Sequence, residues 1–335
     1  MKLVLASLWA PVGVGAYLLR AAKRLGLDVV TVGPTMGENC WSTDFSFPDH
    51  AIYPDFKEPV SILRGIENGI VEKPDLWVDI DGGFYSEMRM PWPHALVATD
   101  PHIAKENGER WTYNLQRQGV DYLFCMQKPY CVDGGFRVGG RADIFLPYAY
   151  DPTIFYPGPG PRGLEAPMDA DVTVLGMPYT KRTMVAKELA RRGFRVLEGM
   201  GTIFESYARD LHRAPVCFIW SLKDDVPCRV FEAAACGLAI VVNDSIAHHI
   251  HEILPGLKFA TFEEHEDLNQ SVGAAANAVE ALFCKVPGHS WGQRTSIVPL
   301  MQSARSVLTA TPPWNGHTWD ARLRTIVKTC LGKEI

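Results

Sequence analysis

A chain of 335 residues, 47% hydrophobic, 21% charged and 10% aromatic, is long enough for about two domains of roughly 150 residues and has the composition of folded globular proteins. These figures exclude a staple-dependent mini-protein, a fibrous repeat and a disordered chain. With 33 basic against 38 acidic residues the formal net charge is -5, so no global field draws the protein to nucleic acid or to an anionic membrane; such a contact would need a locally assembled basic groove.

The first elements in chain order are a strand at 2–7 (KLVLAS), a loop through WAPVGVG, a helix at about 16–25 and a strand at 27–33, which together make a β-α-β unit. The uncharged stretch 3–19 behind Lys2 superficially resembles a signal peptide, but Pro11, Gly13 and Gly15 interrupt it; the reading adopted is strand, loop and helix, with no membrane span. Residues 34–75 are rich in aromatics and prolines and carry no clean period beyond one helix near 58–70. Short apolar runs at 76–80, 94–99, 121–126 and 142–148 lack alternation, as strands buried on both faces do.

A proline- and glycine-rich segment, 151–169, then breaks any regular element and reads as a hinge. Beyond it strands are expected at 171–176, 194–197, 216–221, 238–243 and 257–262. They alternate with helices at 181–192, 202–213, 228–236, 246–253 and 266–284. The fold class expected is α/β: two Rossmann-like, doubly wound parallel-sheet domains facing across a cleft, at 1–150 and 170–290. Residues 291–335 form one or two helices that can pack back on the first half. Ligands of such sheets bind beyond the carboxyl ends of the strands, which is where the site is expected.

The eight cysteines (Cys40, Cys125, Cys131, Cys217, Cys228, Cys236, Cys284 and Cys330) form no CxxC pair, and several lie in apolar runs. They read as buried, reduced thiols, which favours the cytoplasm. The strongest local signal is DDVPCRVFEAAACG at 224–237, directly after a buried strand and opening a helix: Pro227 suits the first turn and Gly237 the end. Small residues from Ala233 to Cys236 let this helix approach the sheet, which leaves Glu232 near its start, where a carboxylate can accept hydrogen bonds from two ribose hydroxyls; the alternative is a solvated helix glutamate.

This pattern resembles the donor-binding motif of GT-B glycosyltransferases, in particular the CgeB-like branch of the glycosyltransferase 1/4 group. There, two acidic residues lie eight positions apart, as Asp224 and Glu232 do here. The resemblance implies transfer of a sugar from a nucleoside diphosphate sugar, a UDP-sugar favoured, to a hydroxyl, with retention and without metal or other cofactor. It assigns Glu232 to the ribose and Asp224, with Asp225 able to share the task, to the sugar. The wider group usually has Glu at the first position, so Asp224 is one methylene short. Arg229 looks like the branch's usual arginine, and Tyr207 lies where the branch often has an aromatic. Segment 172–193 looks like the start of the family's donor domain, with Gly176 after the strand and Lys181 and Arg182 at a helix start, where amide N–H groups and cations suit a diphosphate. Both cations also read as ordinary surface charge.

In the first half, Gly13 and Gly15 make a glycine turn that permits close approach to the donor; Leu18 breaks the full GxGxxG spacing, which disfavours dinucleotide binding. Asp79 and Asp81, and Asp100 and His102 in ATDPHI, follow or end strands and are the acceptor-facing groups able to activate a hydroxyl. The likeness of DPH to a CgeB-like segment favours Asp100 and His102, with turn capping as the alternative role. His248, His249 and His251 at i, i+1 and i+3 cannot share one helix face, so no metal site is expected. The acceptor is open: small molecule, glycan, protein, lipid or a modified DNA base, the last needing cations such as Lys105, Arg110, Arg117 and Lys128. A nucleotide-sugar 2-epimerase of the same fold and a non-catalytic sugar- or nucleotide-binding protein are the alternatives.

Overall fold

The computed structural model describes residues 1–35, 52–81, 90–100, 120–128, 144–157, 168–199, 201–222, 224–283, 297–309 and 314–335. The chain divides into two units, Met1–Pro147 with Thr318–Ile335, and Tyr148–His317.

In the first unit, strands β1 (Lys2–Ala6), β2 (Asp28–Val32), β3 (Leu76–Ile80), β4 (His94–Ala98), β5 (Tyr122–Cys125) and β6 (Ile144–Phe145) form a parallel sheet in the order β2-β1-β3-β4-β5-β6. Both β3 and β4 are buried along their whole length, which explains their unbroken apolar runs. Helix α1 (Val14–Arg24) buries Ala16, Leu18, Ala21 and Ala22, and α2 (Pro59–Glu67) contributes Ile62 to a core with Val4, Val32 and Trp77. The last helix of the chain, Trp319–Leu331, packs on α1: Trp319 stacks on Tyr17 with ring centroids 5.5 Å apart, and Arg24 pairs with Asp320.

The second unit is a five-stranded parallel sheet in the order β11-β10-β9-β7-β8. Its elements run β7 (Val172–Leu175), α3 (Thr180–Arg191), β8 (Val196–Gly199), α4 (Phe204–His212), β9 (Val216–Ile219), α5 (Cys228–Ala235), β10 (Ala239–Asn243), α6 (Ala247–Ile253), β11 (Ala260–Phe262), α7 (Leu268–Leu282) and α8 (Ile297–Thr309). Val172, Val174, Phe218, Trp220 and Val241 meet Val185 and Leu189 of α3 and Val272 and Val279 of α7 in its core. The Trp319–Leu331 helix is thus α9 in chain order.

Two strands differ from their expected bounds for identifiable reasons. At 194–195 the chain is still leaving α3: Gly193 has φ +89°, the Phe194 amide donates to Leu189 O, and β8 begins only at Val196. At 257–259 the Lys258 amide donates to Ser303 Oγ of α8 instead of joining the ladder, and β11 begins at Ala260.

In both sheets the second strand lies on one side of the first and the third on the other, so the order reverses between β1 and β3 and again between β7 and β9. Helices starting after adjacent strands diverge at such a point, which leaves a crevice at the carboxyl ends of the strands.

Candidate active site

At the switch point of the second sheet, β7 ends in Gly176 with φ +110°. A Cβ there would lie 2.9 Å from Arg229 Cζ, because the Arg229 guanidinium, carried by the first turn of α5, rests against the glycine backbone. Arg229 Nε donates to Tyr207 Oη of α4 at 2.9 Å, and the Tyr207 ring sits edge-on to Phe155, with centroids 5.9 Å apart. Burial, with the Glu232 charge adding to it, pushes the Tyr207 phenol well up, against the opposing pull of Arg229, so Tyr207 is a neutral acceptor.

Arg182, in the first turn of α3, turns back over the strand ends. Its Nη1 donates to Met177 O and its Nη2 to Trp220 O, both at 3.2 Å, while its Nε is buried without a partner among the described residues. Burial foremost, and then the neighbouring Arg229 charge, brings its pKa down to about 10. The two guanidinium charges are thus close enough to repel, and among the described residues they are hydrogen-bonded to carbonyl and phenol oxygens and to no carboxylate. Glu232 lies on α5, 6% exposed, with Oε1 3.5 Å from Cys228 Sγ. Asp224 is exposed in the preceding loop with φ +56°, and Asp225 accepts from Ser221 Oγ.

Lys181 turns elsewhere. Its ammonium is 3.0 Å from Glu264 Oε1 and lies 4.9 Å from the centroid of the Trp220 ring. Glu264, just past β11, also accepts from Trp220 Nε1 at 2.6 Å, Asn243 Nδ2 at 2.8 Å and Ser245 Oγ at 3.2 Å. Burial pushes its pKa up, but these donors outweigh it and hold the carboxyl below its usual range. Sequence reasoning missed Glu264 and Asn243. The available signal was position: each is a polar residue ending or just following an apolar strand at the carboxyl edge of the sheet.

In the first unit, Gly15 is a packing residue, since a Cβ would lie 2.7 Å from Ser7 Cβ; Gly13 is the N-cap of α1, with Ala10 O 3.3 Å from the place of a Cβ. Asp79 lies inside the sheet. Its Oδ2 meets His94 Nε2 at 2.6 Å and its Oδ1 accepts from Trp77 Nε1 at 3.2 Å, so sequence reasoning missed its partner. Asp81 takes φ +60° at the end of β3 and accepts from Thr99 N and Thr99 Oγ1, each at 2.7 Å. Asp100 is exposed at the end of β4, and His102 lies outside the described residues.

Burial above all, reinforced by the Asp100 charge and opposed by the Thr99 hydrogen bonds, raises the Asp81 pKa to about 6. Between the unfolded value near 4 and this folded value the native state binds more protons, so ionisation of Asp81 removes stability as pH rises through that window. Asp81→Asn keeps an acceptor for Thr99 and tolerates the left-handed backbone. Its melting temperature is expected to gain on that of the wild type as pH rises from about 4 to 6; parallel curves would refute the raised pKa.

No protein-family model matches the chain, and no curated protein matches its sequence. Solved structures do match over almost the whole chain. Sucrose-phosphate synthase from Thermosynechococcus elongatus aligns with a TM-score of 0.61 at 14% identity, covering 98% of each chain. An alpha-glucosyltransferase in complex with UDP and a 13-mer DNA containing an HMU base aligns at 0.56 and 9% identity, covering 99% of this chain and 97% of the other. A putative UDP-N-acetylglucosamine 2-epimerase from Listeria monocytogenes aligns at 0.54 and 12% identity, with 99% and 97% coverage. The fold is that of GT-B glycosyltransferases.

On this GT-B scaffold the remaining sequence candidates fall as follows. His248, His249 and His251 lie on α6, with the first two rings 3.6 Å apart and His251 against Phe259; among the described residues no group of three metal-ligating side chains gathers. Lys128 lies over the Phe145 ring, while Lys105, Arg110 and Arg117 fall outside the described residues. Cys217, Cys228, Cys236 and Cys330 are free thiols and Cys125 is buried at the end of β5; burial raises Cys217 to about 11 and Cys330 to about 12, which makes both poor nucleophiles. Cys40, Cys131 and Cys284 are outside the described residues. Among the described residues no helix is long and apolar enough to cross a membrane.

Proposed function

We propose that the protein is a glycosyltransferase that moves a sugar from a nucleoside diphosphate sugar, a UDP-sugar favoured, to a hydroxyl acceptor with retention at the anomeric carbon, and that it belongs to the CgeB-like branch. The observation that carries this reading is the pair Arg182 and Arg229 at the switch point of the second sheet, which among the described residues have one buried Nε without a partner and no carboxylate among their hydrogen-bond partners. Two adjacent guanidiniums repel each other, and a diphosphate relieves that repulsion by accepting from both. As the glycosidic bond breaks, negative charge grows on the leaving diphosphate, and fixed donors already aimed there stabilise the transition state more than the ground state.

In this reading Glu232, four residues into α5 from Cys228, accepts from the ribose hydroxyls, and Asp224, with Asp225, from the sugar hydroxyls. Asp81, Asp100 and His102 are the candidates for taking the acceptor proton, with the raised pKa of Asp81 suited to that task. The retaining course and the branch rest on the resemblance of 224–237. The acceptor is a hydroxyl of a small molecule, glycan, protein, lipid or modified DNA base, and the match to a DNA-bound glucosyltransferase puts hydroxymethylated DNA on the first acceptor panel.

The test is thermal unfolding against UDP-, GDP-, ADP- and TDP-sugars and the free nucleotides, followed by transfer assays with the ligand that binds. A ligand at 100 times its Kd stabilises by about 2.7 kcal/mol, a clear rise in midpoint. No rise with any of them, in folded protein, defeats the reading. Glu232→Ala is expected to weaken UDP binding at least about tenfold, the loss of charge-assisted hydrogen bonds, with a smaller effect on folding. Unchanged affinity with full turnover would remove Glu232 from the donor site. The match to an epimerase favours one second reading: turnover of UDP-N-acetylglucosamine to its 2-epimer with no acceptor present.

A further inference from the structure

Glu264 is the centre of a polar network that reaches both elements carrying the proposed donor contacts. On one side its Oε2 accepts from Asn243 Nδ2; the Asn243 Oδ1 accepts from the Ser221 amide at 2.9 Å, and Ser221 Oγ bonds Asp225, next to Asp224. On the other side its Oε1 accepts from Trp220 Nε1, and the carbonyl of the same tryptophan accepts from Arg182 Nη2. Lys181 completes the arrangement by pairing with Glu264 over the Trp220 ring.

The side chain of Glu264 is 25% exposed and Asn243 and Trp220 are fully buried, so the four donors converge on one carboxylate in a poorly solvated place. Such a charge adds little to stability over a well-packed neutral residue, because desolvation offsets most of its attraction. What it does supply is geometry. One carboxylate with two oxygens accepts from four donors drawn from the ends of β9 and β10, the turn after β10 and the start of α3, and a glutamine, which brings its own N–H group, cannot accept from all of them.

We propose that Glu264 is a positioning residue for sugar transfer: through Asn243 and Ser221 it sets the loop that carries Asp224, through Trp220 it sets the Arg182 guanidinium, and Lys181 is its counter-ion and not a diphosphate ligand. This rests on the reading of the second unit as a nucleotide-sugar site. It departs from the expectation that Lys181 and Arg182 act alike at the start of α3: the two cations divide, Arg182 towards the anion and Lys181 towards the carboxylate.

The experiment compares the wild type with Glu264→Gln and Lys181→Met by UDP affinity, by kcat and KM for hydrolysis or transfer with UDP-glucose, and by melting temperature. Misplacing reacting groups by about 1 Å costs up to about 100-fold in rate. Both variants are therefore expected to lose kcat at least about tenfold while UDP affinity falls by less than about tenfold, because Arg229 keeps its own hold on Tyr207, and the double variant is expected to be little worse than either single one, since each breaks the same unit. A purely structural role would lower melting temperature and leave kcat per folded molecule intact, which overturns the proposal. So does a Lys181→Met variant that loses UDP affinity at least about thirtyfold, for Lys181 then touches the diphosphate. Should Glu264→Gln fail to fold, Lys181→Met decides alone. Wild-type protein that neither binds UDP nor turns over any nucleotide sugar defeats the functional reading itself, whereas an active wild type with an equally active Glu264→Gln defeats only this inference.

Discussion

Gly176→Ala is expected to lose UDP affinity by about 10- to 100-fold, roughly 1.4–2.7 kcal/mol, while remaining folded. Two independent reasons converge on this glycine. Its φ of +110° is a conformation that an L side chain rarely adopts, with a strain on the order of 1–3 kcal/mol. A Cβ would also stand 2.9 Å from Arg229 Cζ, so either the turn after β7 opens or the guanidinium withdraws from Tyr207. Both responses take apart the paired-guanidinium arrangement. Gly332→Ala separates strain from clash, because Gly332 also has positive φ, +67°, but has nothing within 4 Å of a Cβ. That variant should lose about 1 kcal/mol of stability and no affinity. Calorimetric titration with UDP decides the matter; folded Gly176→Ala with wild-type affinity would show that Arg229 does not serve the anion.

His94→Leu is expected to cost about 3–5 kcal/mol of unfolding free energy, the largest loss of stability from one substitution away from the donor site. His94 is 2% exposed, and its Nε2–H donates to the Asp79 carboxylate at 2.6 Å. Its Nδ1 is buried without a partner among the described residues. Leucine removes the donor and leaves Asp79 in the sheet with the Trp77 indole as its one remaining side-chain donor among the described residues. The double variant Asp79→Leu with His94→Leu should recover most of the loss, since replacing both partners by apolar groups removes the buried charge. Urea midpoints of the four proteins test this; a single variant as stable as the wild type would mean that water reaches Asp79.

Much of the fold was legible because burial on both faces leaves a plain mark in the sequence. Runs such as LWVDI and AIVVN, separated by helices of suitable length and by glycines at helix ends, give the strands and helices of both sheets, although β6, β8 and β11 are offset or shorter than expected. The site candidates came mainly from the family resemblance, which with the glycine turn named Gly13, Gly15, Gly176, Lys181, Arg182, Tyr207, Arg229 and Glu232 for the donor; of these the structure places Arg229 against Gly176 and Tyr207 and near Arg182. The resemblance did not separate Lys181 from Arg182. Adjacent cations on one helix turn look equivalent until the strand ends beside them are known, and it is Glu264, 83 positions away, that turns Lys181 aside.

The sequence by itself determined which segments are strands and helices, because period, β-branching and helix-end chemistry act over a few residues. Strand order was decided only in the tertiary structure: β3 lies beside β1 instead of β2, and β9 beside β7 instead of β8, since backbone donors and acceptors are alike in every parallel strand and carry no address. The same holds for the partners of the charged groups. His94 on Asp79, Thr99 on Asp81, Glu264 on Lys181 and Asp320 on Arg24 are each joined across sheet or helix contacts that pattern cannot register. A buried charge must find its counterpart wherever packing brings one within about 3 Å, and packing is a property of the whole unit.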